Sequence, residues 1–374
     1  MSAFTRTDTS ILGHWWWTID RWTMAAVALL ILIGMMLTLA ASPPVAERLS
    51  YTPYHFVQRQ LVFLPFAIAL LLGTSLMSPR GIRRLAMGLF GIALLLMLAT
   101  FVFGTEINGA RRWISLAGLS LQPSEFIKPA FAVLAAWLFA MPQSDGMSAG
   151  RYISIALYAL VVGILLLQPD FGMTVVVSAV WFTQFFLAGL PVIWVMLFIV
   201  AGLGGAVGAY LLLPHVASRV DRFIDPASGD SYQVMRSLQA FGNGGAFGRG
   251  PGEGSVKSVL PDAHTDFIFA VAGEEFGLVA CLIIVGLFAF IVLRGIASAL
   301  KEHDLFIVLA VSGLLVQFGL QAFINMGSTL HLMPTKGMTL PFISYGGSSL
   351  VAVALCMGMV LALTRRRFGA GSAP

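Results

Sequence analysis

Charge is scarce in this sequence: of 374 residues only 10% are Asp, Glu, Lys or Arg, while 58% are hydrophobic. A soluble domain carries roughly a quarter of its residues as charges, so this composition points to lipid as the solvent. Cysteine is scarcer still. Cys281 and Cys356 both fall in apolar stretches, where a thiol behaves as a small hydrophobe, and no disulfide framework follows from them. Metal-ligand spacings of the HExxH or CxxC kind are missing, as are Walker and dinucleotide-binding fingerprints. The glycine-rich stretch at 242–248 is not followed by Lys-Ser/Thr, which argues against an ATP-driven pump.

What the sequence has in quantity is apolar runs of the length a bilayer demands, roughly 20 residues per helical crossing. They occur at 22–41, 61–77, 85–104, 126–141, 152–167, 173–187, 192–213, 267–293, 305–324 and 349–363. The expected fold is therefore an all-α polytopic membrane protein of about ten transmembrane helices, with a large outer loop at 214–265 between helices 7 and 8. The first run is long for a signal peptide and is read as retained. Arg6, Arg21, Arg80, Arg83, Arg84, Arg151, Arg294, Lys301 and Arg365 to Arg367 flank alternate connections. The positive-inside rule then places residues 1–21 and 364–374 in the cytoplasm of a single membrane domain, 1–374.

Basic residues also occur on the opposite side. Arg48, Arg111, Arg112, Arg219, Arg222, Arg236, Arg249, Lys257 and Lys336 lie in outer connections, and together they suggest an anionic ligand such as a diphosphate head group. Ionisable groups within or at the edge of spans are functional candidates by default. Glu125 and Lys128, three apart in Gln122-Pro123-Ser124-Glu125-Phe126-Ile127-Lys128, are expected to pair on one helical face, with Ser124 able to cap that helix. Asp170, in Gln168-Pro169-Asp170-Phe171-Gly172, either caps the sixth helix or reaches across to Lys128; the pair is the favoured expectation.

The eighth helix opens at Pro261, with Asp262 or Thr265 as its cap. Asp266 then falls in or near the first turn, where the helix dipole favours its ionised form. Glu274 falls about 12 Å deeper along the axis, where desolvation favours a neutral acid. The stretch 325–349 is too apolar for an open loop and too rich in Pro and Gly for a straight helix. It is expected to form an irregular wall buried at membrane depth, in which Gly346, Gly347, Ser348 and Ser349 allow close approach of a helix or ligand.

At these residues the chain resembles a known family. Gln122-Pro123-Ser124-Glu125, Gln168-Pro169-Asp170-Phe171-Gly172, His264-Thr265-Asp266-Phe267-Ile268-Phe269 and Pro341-Phe342-Ile343-Ser344-Tyr345-Gly346-Gly347-Ser348-Ser349, in this order, look like the signatures of the SEDS family. Pro334-Thr335-Lys336-Gly337 resembles its division branch more than its elongation branch.

The resemblance implies a peptidoglycan glycosyltransferase of the inner membrane that polymerises lipid II on the outer face, at the division septum. Its implied partners are a class B penicillin-binding transpeptidase, other divisome proteins and membrane lipid, with no nucleic acid. Asp266 matches the family's catalytic aspartate, while Arg112, Glu125, Lys128 and Asp170 match positions near a central cavity. His264, Lys336, Ser348 and Ser349 complete the candidate substrate-binding set. No protein-bound metal is expected, and a divalent cation assisting the diphosphate is left open as cofactor. A lipid II flippase, a non-catalytic scaffold and an elongation role are the alternatives. Clustering of Asp266 and the basic residues outside, rather than along the whole membrane depth, favours chemistry there.

Overall fold

The computed structural model describes residues 10–107, 110–116, 119–142, 149–189, 192–212, 216–217, 221, 223, 232–334 and 337–365. A short helix α1 (Ile11–Thr18) precedes α2 (Arg21–Arg48), α3 (His55–Ser75), α4 (Pro79–Phe103), α5 (Pro123–Phe139), α6 (Ala149–Leu167), α7 (Phe171–Leu187) and α8 (Val192–Leu212). The long connection contains α9 (Tyr232–Gly244), and α10 (Ile268–Ala299), α11 (Leu305–Thr329) and α12 (Gly347–Leu363) follow. Each of the ten apolar windows has thus become a helix, and the chain is an all-α polytopic membrane protein. Local chemistry sets several of the starts. Ser10, Asp20, Ser78 and Asp304 accept backbone N–H bonds as N-caps of α1, α2, α4 and α11, and Pro79 stands just inside α4.

Among the described residues six helices are long and apolar enough to cross a membrane by length and composition alone. Of their apolar windows, 72% is buried in α11 against 28–39% in the other five, so α11 is the most enclosed of the six, beside the shorter α5 and α12, which are buried along almost their whole length. Helix α11 packs on α5, α7, α10 and α12. Gln184 of α7 ties this centre together, donating to the carbonyls of Ala132 on α5 (2.7 Å) and Leu309 on α11 (3.0 Å). Against α3, α12 comes so close that a Cβ at Gly358 would collide with the Thr74 hydroxyl and the Leu71 carbonyl. Small residues let membrane helices approach in this way, where van der Waals contact replaces the hydrophobic drive.

One end of the bundle gathers the groups assigned to the cytoplasm. Arg294 at the end of α10 grips Asp20 through Nε (2.6 Å) and Nη2 (2.8 Å). The Trp15 indole donates to Ser75 Oγ (2.9 Å), and Arg365 donates to the Leu76 carbonyl (3.3 Å). The start of α2 and the end of α12 therefore lie at the same end of the bundle.

Two features differ from the sequence expectation. The connection carrying Arg111 and Arg112 is a small antiparallel sheet of β1 (Thr105–Ile107), β2 (Ala110–Leu116) and β3 (Leu119–Leu121), in the order β1-β2-β3. β1 and β3, three residues each, fall below the length at which strand alternation can be read, and the adjacent Arg111 and Arg112 break the apolar alternation of the seven-residue β2. Secondly, α10 is broken at Gly277, whose backbone (φ 76°, ψ −173°) belongs to no helix. The loop after α9 fills the break: Leu278 N donates to Gly245 O (2.9 Å), Val279 N to Ala246 O (3.2 Å), and the N–H groups of Arg249 and Gly250 to the carbonyls of Glu274 and Glu275 (3.0 Å each). Broken helices persist at membrane depth where protein satisfies the freed backbone groups.

Candidate active site

At the end of the bundle away from Arg294 lies a cavity of about 290 Å³. Its walls are Arg59 and Phe63 of α3, Trp113 of β2, Ser120 of β3, Gln122 and Glu125 at the start of α5, Thr265 and Asp266 before α10, and residues from Gly337 to Ser349. Residues 338–346 form the irregular wall expected of this stretch, buried at Met338 and from Leu340 to Ser344, whereas 325–329 belong to α11, 347–349 to α12, and Leu332 and Gly337 are exposed. Ser344 Oγ donates to the Thr265 carbonyl (2.6 Å) and accepts from Leu340 N (2.8 Å), while Tyr345 N donates to the His264 carbonyl (2.9 Å). At Gly347 a Cβ would meet the Phe63 ring at 2.7 Å, so the close approach expected of this glycine is to a helix of the wall.

Asp266 stands outside α10 rather than in its first turn. The helix begins at Ile268 with Phe267 as an N-cap that makes no side-chain bond, so neither Asp262 nor Thr265 caps it. Residues 261–267 form a turn in which Thr265 N and Phe267 N both donate to the Asp262 carbonyl (3.0 and 3.2 Å). Asn325 of α11 clamps this turn: its Nδ2 donates to the Asp266 carbonyl (2.9 Å) and to the Met338 carbonyl (2.6 Å). Gly337, at φ 65°, leaves room for the carboxylate, since a Cβ there would come within 3.3 Å of Asp266 Oδ2. Burial, with the Asp262 carboxylate adding to it, raises the Asp266 carboxyl from 3.8 to about 7. The expected stabilisation of the ionised form by the helix dipole is thus outweighed by desolvation.

The charges are distributed otherwise than the motifs suggested. Lys128 pairs with Glu125 (2.8 Å) as expected, but its other partner is Gln321 Oε1 (2.9 Å) and not Asp170. Gln321 continues the chain, donating to Thr339 O (3.2 Å) and Thr339 Oγ1 (3.3 Å), with Thr339 Oγ1 and Ser349 Oγ 2.6 Å apart. Lys128 therefore lies beneath the cavity, joined to its floor. Asp170 is the N-cap of α7, accepting from Met173 N (3.3 Å), and its charge partner is Arg112 at 3.8 Å. Arg112 also donates to the carbonyls of Gln168 (2.9 Å) and Pro169 (2.6 Å). Alternation along β2 turns it away from the side on which Trp113 faces the cavity. Arg112 and Asp170 hold the sheet to the α6–α7 turn and do not line the cavity.

Of the remaining candidates, Ser348 and Ser349 line the cavity, and Ser348 Oγ donates to the Ser120 carbonyl (3.2 Å) while accepting from Gln122 N (3.1 Å). His264 is buried beside the rings of Phe56 and Tyr345 (centroids 4.1 and 5.5 Å away) and is a packing residue. Burial, with Arg48 adding to it, pushes its imidazole down to about 4, so it is neutral at physiological pH. Ser124 does not cap α5, whose N-cap is Gln122 with Pro123 just inside. Lys336 lies outside the described residues.

Arg59 was not anticipated. It lines the cavity and hydrogen-bonds the Tyr345 hydroxyl. The signal was present, an arginine early in an apolar helix, but the hydropathy window began at Leu61 and excluded it.

Glu274 is also differently placed. Its carboxylate accepts from the N–H groups of Ser255 (3.0 Å), Val256 (2.9 Å) and Lys257 (3.3 Å), and Lys257 pairs with Glu275. Through these bonds Glu274 is a tether that fixes the segment 255–257 to α10, two turns from Asp266.

Comparison with known proteins places this geometry. The family model described as cell cycle protein, for FtsW, RodA and SpoVE, matches residues 20–368. The chain is 47% identical over 369 residues to a probable peptidoglycan glycosyltransferase FtsW of Caulobacter vibrioides, covering 98% of this chain and 95% of that one. It is 36% identical to the FtsW of the same description from Coxiella burnetii, over 92% of this chain and 96% of that one. Among solved structures it resembles a chain of a peptidoglycan synthase complex that coordinates polymerization and crosslinking (TM-score 0.76, 31% identity, 92% of this chain and 97% of that one). It also resembles the rod shape determining protein RodA of Thermus thermophilus (TM-score 0.68, 32% identity, 93% and 97%).

Proposed function

The chain belongs to the FtsW/RodA/SpoVE family, and from that premise we propose that Asp266 is the general base of a peptidoglycan glycosyltransferase that polymerises lipid II during septal cell-wall synthesis. The observation that carries the assignment is the carboxyl of Asp266 on a cavity wall, raised to about 7, where a general base works best near neutral pH. The acceptor sugar hydroxyl gives its proton to Asp266 as its oxygen bonds to the donor's anomeric carbon. The bond from that carbon to the undecaprenyl diphosphate breaks, and the leaving diphosphate takes the negative charge. Arg59 on the wall and Lys128 beneath the floor are the cations that meet it. Trp113 and Phe63 offer apolar faces to the sugar rings.

The partner of this reading is a class B penicillin-binding transpeptidase within the divisome, since one structural relative is part of a synthase complex coordinating polymerization and crosslinking. Purified chain given labelled lipid II is expected to form glycan strands, and more of them with its transpeptidase partner. Monomeric lipid II remaining unchanged under both conditions would refute the assignment.

The chain works as one integral inner-membrane unit, with residues 1–21 and 364–374 in the cytoplasm and 214–265 in the periplasm. Arginines and lysine around the Arg294 end support this orientation. With Cys281 and Cys356 replaced, a single cysteine at exposed Ser258 is expected to react with an impermeant maleimide in cells with a permeabilised outer membrane, and one at exposed His303 is not. The reverse pattern would invert the topology and remove Asp266 from the periplasmic face.

A further inference from the structure

A second cavity with polar lining lies at the end of the bundle opposite Asp266 and takes no part in the chemistry above. It measures about 750 Å³ and is bounded by the α1–α2 turn, the last turns of α10 and Thr364 at the end of α12. Three cations line it, Arg21, Arg294 and Lys301, against two carboxylates, Asp20 and Glu302. Asp20 is taken up by Arg294, gripping its Nε and Nη2 edge. Arg21 is held by aromatic faces, its guanidinium 4.9 Å from the Trp17 ring and 5.6 Å from that of Trp16. The α1 wall is fastened to α3 by the bond from Trp15 to Ser75. Trp22, which lines the cavity, is 68% exposed, an apolar face open to lipid beside the charged groups.

We propose that this cavity binds an anionic glycerophospholipid by its head group. One net positive charge complements a single phosphodiester, with Arg21 and Lys301 donating charge-assisted bonds to its oxygens. Tryptophans at the level of the head group are the usual interfacial anchors, and Trp17 and Trp22 occupy that level here. Basic pockets between helix ends bind anionic lipids in this way. The site stands apart from the polymerisation cavity, separated from it by the length of α10.

The test uses the full chain in neutral detergent, titrated with dioleoylphosphatidylglycerol, dioleoylphosphatidylcholine or sn-glycerol 3-phosphate. Thermal midpoint and native mass spectrometry are the readouts. The glycerol lipid is expected to raise the midpoint saturably and to remain bound, while the choline lipid and the soluble phosphate do neither. The double variant Arg21→Gln/Lys301→Gln is expected to fold and to lose about tenfold or more in affinity. A control, Arg80→Gln/Arg84→Gln on the same face but outside the cavity, should respond as the unmodified chain does. Equal stabilisation by the choline lipid, full reproduction of the shift by glycerol phosphate, or an equal loss in the control variant would overturn the proposal. So would an undiminished response in the Arg21/Lys301 variant.

Discussion

Asp266→Asn is expected to cost on the order of 10²-fold or more in glycan polymerisation, in a protein that folds at least as well as the unmodified chain. Asn keeps the shape of the carboxylate but takes no proton. The sign of the stability effect follows from the raised carboxyl. Between 3.8 and about 7 the folded protein holds a proton on Asp266 that the unfolded chain has lost, so this group makes stability fall as pH rises through that interval. Above about pH 7 the folded state carries the full cost of a desolvated charge, which Asn removes. The thermal midpoint of the variant at pH 8 should therefore equal or exceed that of the unmodified chain. Activity moves the other way with pH: polymerisation should rise as pH increases through about 7, because only the ionised carboxylate accepts the proton. A gel assay of labelled lipid II products, beside thermal midpoints at pH 5 and pH 8, measures both. Near-normal chain length from the Asn variant would return Asp266 to a structural role in its turn.

Much of this arrangement is legible in the residues because membrane helices declare themselves locally. Apolar windows became α2 to α8 and α10 to α12 because a helix satisfies its own backbone in lipid and needs no distant partner to do so. The pairing of Glu125 with Lys128 is local in the same sense, three residues apart on one helix. Partners across the bundle are another matter. Arg112 and Asp170 are 58 positions apart in the numbering and meet only because a small sheet folds over the α6–α7 turn. Lys128 finds Gln321 rather than Asp170 because α5 lies against α11 at that depth. The break in α10 is marked in the sequence by Gly277, yet what fills it, residues 245–250, is known only from the packed structure. Arg59 shows the remaining difficulty: a cation near the end of an apolar run reads as a boundary, although here it faces the cavity.

The buried ion pair offers the second large effect. Lys128 and Glu125 are almost wholly excluded from solvent, with side-chain exposures of 1% and 6%. Removing one partner leaves the other charge desolvated and unpaired, a cost of about 3–5 kcal/mol. Glu125→Ala is accordingly expected to give a poorly folded or unstable chain, with Gln321 Oε1 as the only close acceptor left to the ammonium among the bonds described. Neutralising both members is a different experiment. Glu125→Gln/Lys128→Met removes the desolvation cost along with the attraction, and replacing such pairs by neutral groups of similar volume is often without penalty. It does leave Gln321 Oε1 without its donor, which costs about 1–3 kcal/mol. The double variant should thus recover most of the stability lost in Glu125→Ala. Its activity then decides what the charge is for. If Lys128 lends its field to the departing diphosphate through the floor formed by Gln321, Thr339 and Ser349, the folded double variant should polymerise lipid II at least about tenfold more slowly. Thermal midpoints establish folding, and single-turnover rates on matched amounts of folded protein establish activity. Full activity in the double variant would mean that the pair serves only to seat α5 against α11, leaving Arg59 as the described cation that meets the leaving group.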